Sequence, residues 1–142
     1  MATYETEIII DAPPAEVWKH LVDVDRHDDW SQHFRLRGEP VVGGRGRIEF
    51  KLFGVPASAA VVFQKVDEGR ELRWVGGPKG IAYGSHFFIL EPLADGQRTR
   101  FRHGEDFSGI LARLIVRLLA AERGGPSYNG FNEELRRRVT DR

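Results

Sequence analysis

The 142-residue chain has the length of one domain, and its 41% hydrophobic and 30% charged residues make an ordinary globular balance that argues against disorder. Its 21 Lys and Arg cancel its 21 Asp and Glu, so no net field draws it to nucleic acid or to an anionic lipid surface. Cysteine is absent, which removes disulfides, thiolate metal sites and cysteine nucleophiles together.

Tyr4 to Ile10 alternates loosely and is rich in β-branched residues, the signature of a strand. Asp11-Ala-Pro-Pro14 stops it and opens a short helix, in which Val17, Trp18 and Leu21 share an apolar face. Asp25 to Gln32 is polar, with Trp30 as the buried anchor of a second short helix or turn. The period then becomes two. Phe34 to Arg37, Arg47 to Phe53, Ala57 to Val66, Leu72 to Trp74, Ala82 to Leu90 and Thr99 to Glu105 read as strands, separated by glycine-rich or Asp-Gly turns.

From Gly109 the period returns to 3.6. Ile110, Leu111, Leu114, Ile115, Leu118 and Leu119 form a broad apolar stripe, and Tyr128, Phe131, Leu135 and Val139 form another. Gly124-Gly-Pro126 between them should kink or break the helix, because a residue before proline is biased out of the helical region. Short turns imply antiparallel neighbours, and the apolar sheet face needs a cover that only the C-terminal helix is large enough to supply. The expectation is one α+β domain over 1–142. The basic end, Arg136 to Arg138 with Arg142, suits a solvated helix terminus.

Several segments carry a family resemblance. Ile8-Ile-Ile-Asp-Ala-Pro-Pro-Ala-Glu-Val-Trp18 and Asp29-Trp30 resemble the opening of the START-related, polyketide cyclase/dehydrase and lipid transport (SRPBCC) superfamily. Glu71 to Gly76, Ser85 to Pro92, Gly96 to Leu111 and Gly130 to Leu135 are similar to its second polyketide-cyclase-like branch. The resemblance spans nearly the whole chain. It implies a helix-grip fold, a curved seven-stranded antiparallel sheet wrapped around a long C-terminal helix with a cavity between. It implies little about chemistry, since such folds serve carriers, receptors and cyclases alike.

Alternation puts His86, Phe88 and Leu90 on one strand face, and Thr99, Phe101, His103 and Glu105 on the facing side of the next strand. With Leu90 and Phe101 both facing inward, His86, His103 and Glu105 line one concave surface, as candidates for acid–base chemistry, for orienting a ligand, or for satisfying one another under the helix. Two His and one Glu could ligate zinc, but no further ligand spacing accompanies them, so neither metal nor cofactor is expected. The ligand wall is expected from Trp30, Phe34, Phe50, Phe63, Trp74, Tyr83, Phe88, Phe101 and Phe107, with Leu111 and Leu114 from the helix. A β-bulge in the Ala57–Val66 strand would turn Phe63 outward.

The function expected is binding or transport of a small hydrophobic or amphipathic molecule, with a cyclase/dehydratase enzyme as the alternative. Phe87 and Ile89, on the convex side, suggest a homodimer contact. With no secretion signal in Met1-Ala-Thr-Tyr-Glu5 and no apolar run long enough for stable membrane insertion, a cytoplasmic protein is expected.

Overall fold

Residues 1–141 are described by a computed structural model. Strand β1 (Ala2–Ile10) leads into helix α1 (Pro14–Val22) and a 3₁₀ turn (Val24–Asp29). Six strands follow: β2 (Arg35–Gly38), β3 (Arg45–Leu52), β4 (Val55–Asp67), β5 (Glu71–Gly76), β6 (Tyr83–Leu93) and β7 (Arg98–Ser108). Helices α2 (Ala112–Ala120) and α3 (Tyr128–Thr140) complete the chain.

All pairings are antiparallel, in the order β1-β7-β6-β5-β4-β3-β2. From β2 onward each strand is followed by its neighbour in space, as short turns require. Only β1 pairs out of sequence, crossing the register of β7 from Ala2 opposite Phe107 to Ile10 opposite Thr99. Among the described residues no helix is long and apolar enough to cross a membrane.

The C-terminal cover is two helices rather than one long grip. Gly124 takes a positive φ of 75°, Pro126 follows, and the Ser127 hydroxyl caps α3 by accepting from the Gly130 N–H at 2.9 Å. The break falls at Gly124-Gly-Pro126, the segment that the sequence marks. Phe131 and Leu135 of α3 are fully buried against the sheet, each worth about 1.5–3 kcal/mol of apolar burial.

Helix α2 begins later than its periodicity implies. Strand β7 runs on to Ser108, Gly109 turns with φ 105°, and the N–H groups of Ile110 and Leu111 donate to the carbonyls of Gly80 and Ile81. This tether fixes the entry of α2 so that Ala112 and Leu119 face inward, with Ile115 and Val116 packed beside them. Ile110, Leu111 and Leu114, expected on the inner stripe, are instead exposed.

The β4–β5 pairing does contain a register shift, between Phe63 and Lys65. It lies after Phe63, so Gln64 and Lys65 both face outward while Phe63 stays fully buried opposite Trp74.

Opposite-charge pairs tile the convex face. Arg100 and Arg102 on β7 reach Glu7 and Glu5 on β1, and both reach Glu91 on β6. Arg73 on β5 pairs with Glu71 at 2.9 Å and stretches over β6 to Asp106 on β7 at 3.1 Å. Its guanidinium thereby sits 4.8 Å from the centre of the Phe87 ring, leaving that ring 3% exposed. Phe87 lies on the convex side as alternation requires, but it offers no open apolar patch.

Candidate ligand-binding site

The interior between sheet and helices has two unlike halves. Beneath α3 and the 3₁₀ turn the space is filled by rings: Phe88 stacks on Phe131 at 5.3 Å, and Trp30, His27 and Phe101 pack around them. Under α2 the sheet curls away and leaves a cavity of about 370 Å³. Its walls are mostly apolar, from Ile48 and Phe50 on β3, Trp74 on β5, and Ile115 and Leu119 on α2. The loop at Gly76-Gly77-Pro78 forms part of the rim.

One wall is polar. His86, opposite Glu105 in the β6–β7 register, places its Nδ1 3.0 Å from Glu105 Oε1. The Tyr128 hydroxyl donates to the same oxygen at 2.6 Å. The His86 ring lies between Trp74, nearly parallel at 4.4 Å, and Tyr128 at 5.1 Å. Gly84 is what lets the carboxylate lie there, since a Cβ at that position would collide with Glu105 Oε2.

Behind His86 a hydrogen-bond chain runs into the solid half. His86 Nε2 is 2.7 Å from His103 Nε2, and His103 Nδ1 is 2.8 Å from Asn132 Oδ1. Asn132 Nδ2 donates to Thr6 Oγ1 at 2.8 Å, and the Thr6 hydroxyl donates to the His103 carbonyl at 2.9 Å. That last acceptor is a backbone C=O, which can only accept, so it sets the direction of every bond before it. Thr6 gives its proton to the carbonyl, Asn132 gives its N–H to Thr6, and the Asn132 oxygen requires a proton on His103 Nδ1. Complete burial, with His86 adjacent, holds the His103 pKa well below the usual imidazole range, so His103 is neutral. Its Nε2 is a lone pair, and His86 Nε2 must carry the proton between them. A single further proton is then shared between His86 Nδ1 and Glu105 Oε1. Burial, with the Glu105 carboxylate adjacent, raises the Tyr128 pKa well above its ordinary value, so its hydroxyl stays a donor.

Of the residues expected at the site, Phe34, Phe50, Trp74, His86, Glu105 and Phe107 border the cavity. Phe63, Phe88, Phe101 and His103 are buried outside its lining, and half-buried Trp30 packs on Phe131. Tyr83 sits outside it beneath the Lys79 ammonium, and Leu111 and Leu114 face solvent. Sequence reasoning missed the roles of Thr6, Gly84, Tyr128 and Asn132. The available signals were a threonine at an inward position of β1 and an asparagine four residues after Tyr128 on the same helix face. Among the described residues no group of three or more His, Cys, Asp or Glu could hold a metal ion.

A curved antiparallel sheet gripping C-terminal helices defines a helix-grip protein of the START-like class. The chain belongs to the polyketide cyclase / dehydrase and lipid transport family, whose model matches residues 1–140. Solved structures of the same fold include the Zhui aromatase/cyclase from Streptomyces sp. R1128, 17% identical with a TM-score of 0.70 over 99% of this chain and 96% of that one. A START superfamily protein from Mycobacterium smegmatis matches at 12% identity and TM-score 0.73, covering 96% of each chain. Protein Ms6760 from the same organism matches at 13% and 0.76, over 99% of this chain and 91% of that one. At such identities the likeness establishes the fold alone. No curated protein matches the chain.

Proposed function

We propose that the protein is a carrier or sensor that binds a small, largely apolar molecule, such as a lipid, polyketide or aromatic metabolite, in the cavity under α2. The observation that carries this reading is a mostly apolar cavity of about 370 Å³ with a polar wall made by Glu105, His86 and Tyr128. Burying ~250 Å² of apolar ligand surface at ~25 cal/mol per Å² contributes ~6 kcal/mol before association costs, so affinity depends on how well the polar end is placed.

The same wall supports a second reading, an enzyme of the cyclase or dehydratase kind. Glu105 and His86 share a proton at the cavity edge, and His103, reaching Glu105 only through His86, would position His86 rather than touch a substrate. Native mass spectrometry of the purified protein, followed by extraction of any co-purified molecule, tests binding. Recovery of no ligand, together with no quenching of Trp74 fluorescence by any apolar aromatic, would remove the carrier reading. His86→Gln separates the two classes: affinity within several-fold of the native protein is expected of a carrier, and abolished turnover of an enzyme.

A further inference from the structure

Among the described residues, Glu105 uses one of its carboxylate oxygens, Oε1, for hydrogen bonds. Oε1 takes the Tyr128 hydroxyl and faces His86 Nδ1, whereas among the described residues nothing hydrogen-bonds Oε2, which lies over Gly84 at the cavity wall. The proton shared by the pair sits on Nδ1 or on Oε1. On Oε2 it would leave two lone pairs facing each other across 3.0 Å. In both allowed arrangements Oε2 is an acceptor.

The other polar side chains around the cavity provide no competing donor of comparable strength. Both His86 nitrogens are engaged and the Tyr128 proton is committed to Glu105; the Ser58 hydroxyl, whose oxygen accepts from Arg47 at 3.0 Å, keeps its proton but is a neutral donor on an exposed residue. Among the described residues no Lys or Arg side chain lines the cavity, and both His86 nitrogens are already engaged, so a ligand carboxylate or phosphate would meet the Glu105 acceptor with no unpaired cationic donor beside it.

We propose that the polar end of the ligand is an uncharged hydrogen-bond donor, a phenol or alcohol, that gives its proton to Glu105 Oε2, and that carboxylate-headed ligands are rejected. This inference rests on the cavity-binding reading above and names the ligand class for it. Gly84 is the specificity-determining companion of Glu105, because any side chain there displaces the accepting oxygen.

Four matched probes, naphthalene, 2-naphthol, 2-methoxynaphthalene and 2-naphthoate, titrated at pH 8 against the native protein with Trp fluorescence as readout, test it. A hydrogen bond to the Glu105 carboxyl oxygen corresponds to roughly ten-fold in affinity, so 2-naphthol should bind about that much tighter than 2-methoxynaphthalene, and 2-naphthoate weakest of all. Glu105→Gln, which replaces the accepting carboxylate with an amide that can also donate, should shrink the naphthol-to-naphthoate ratio about ten-fold. Gly84→Ala, which keeps the carboxyl group but moves its oxygen, should erase the naphthol preference and covers the case in which the Gln variant does not fold. Naphthalene binding without preference for naphthol, or naphthoate binding as tightly as naphthol, overturns the inference alone. Failure of all four probes to bind overturns the cavity reading and the inference with it.

Discussion

His27 illustrates how one buried side chain sets a stability profile. It is 1% exposed, ringed by Trp30, Phe88 and Phe131, and its Nε2–H donates to the Leu21 carbonyl at 2.7 Å. Burial lowers its pKa from 6.5 to about 4, outweighing the hydrogen bond and nearby Asp23, which act the other way. Unfolding exposes a histidine that titrates near 6.5, so its contribution is fully present above that pH. As pH falls from about 6.5 to about 4, the unfolded chain takes up a proton that the folded one refuses, and stability is lost. At ~1.4 kcal/mol per pKa unit the loss approaches about 3 kcal/mol from His27, and His103 adds to it in the same direction. Urea unfolding at pH 6.5 and pH 4.5 should show this decline, and His27→Gln, which can still donate to Leu21 without titrating, should flatten it. Equal slopes for the two proteins would remove His27 as the cause.

At the scale of elements, the joint between α2 and α3 is the least regular part of the cover. Glu122 and Gly124 both have positive φ, and Gly124 carries the Phe53 ring of the β3–β4 turn directly against its Cα while its carbonyl accepts the Phe53 N–H. Gly124→Ala should therefore destabilise this junction on two counts, backbone strain and collision with Phe53, costing about 1–3 kcal/mol. Amide exchange should quicken first at Leu52–Gly54 and residues 122–126; exchange faster everywhere equally would contradict a local effect. Elements of this kind mark what was legible from sequence. Alternation disclosed that His86, His103 and Glu105 share a face, and proline and glycine disclosed the helix break, because both are local rules. The roles of Asn132 and Thr6 were not legible, since the pair is 126 residues apart and meets only after β1 has crossed to β7. Nor was the rotation of α2, which depends on the tether to Gly80 and Ile81 rather than on its own period.

Across the whole molecule, solid and hollow halves should answer differently to the same change. Phe88→Ala removes a ring from the packed half and should cost about 3–5 kcal/mol. Phe50→Ala, on the cavity wall, should cost well under half of that, because one side of the ring already borders open space. Thermal or urea unfolding of both variants checks the contrast, and equal losses would mean that the hollow half is no looser than the other. The convex face, meanwhile, has paired ions on five strands, Lys65 with Glu71 on β4 and β5 continuing the set. Exposed pairs of this sort add little to folding individually. Their weight falls on neighbours instead: a second sheet approaching that side would meet only scattered apolar side chains, Ile9 and Val62 among them, between paired ions, and would have to strip hydration from every ion it covered. Crowded solutions of the protein should for that reason stay free of back-to-back stacking.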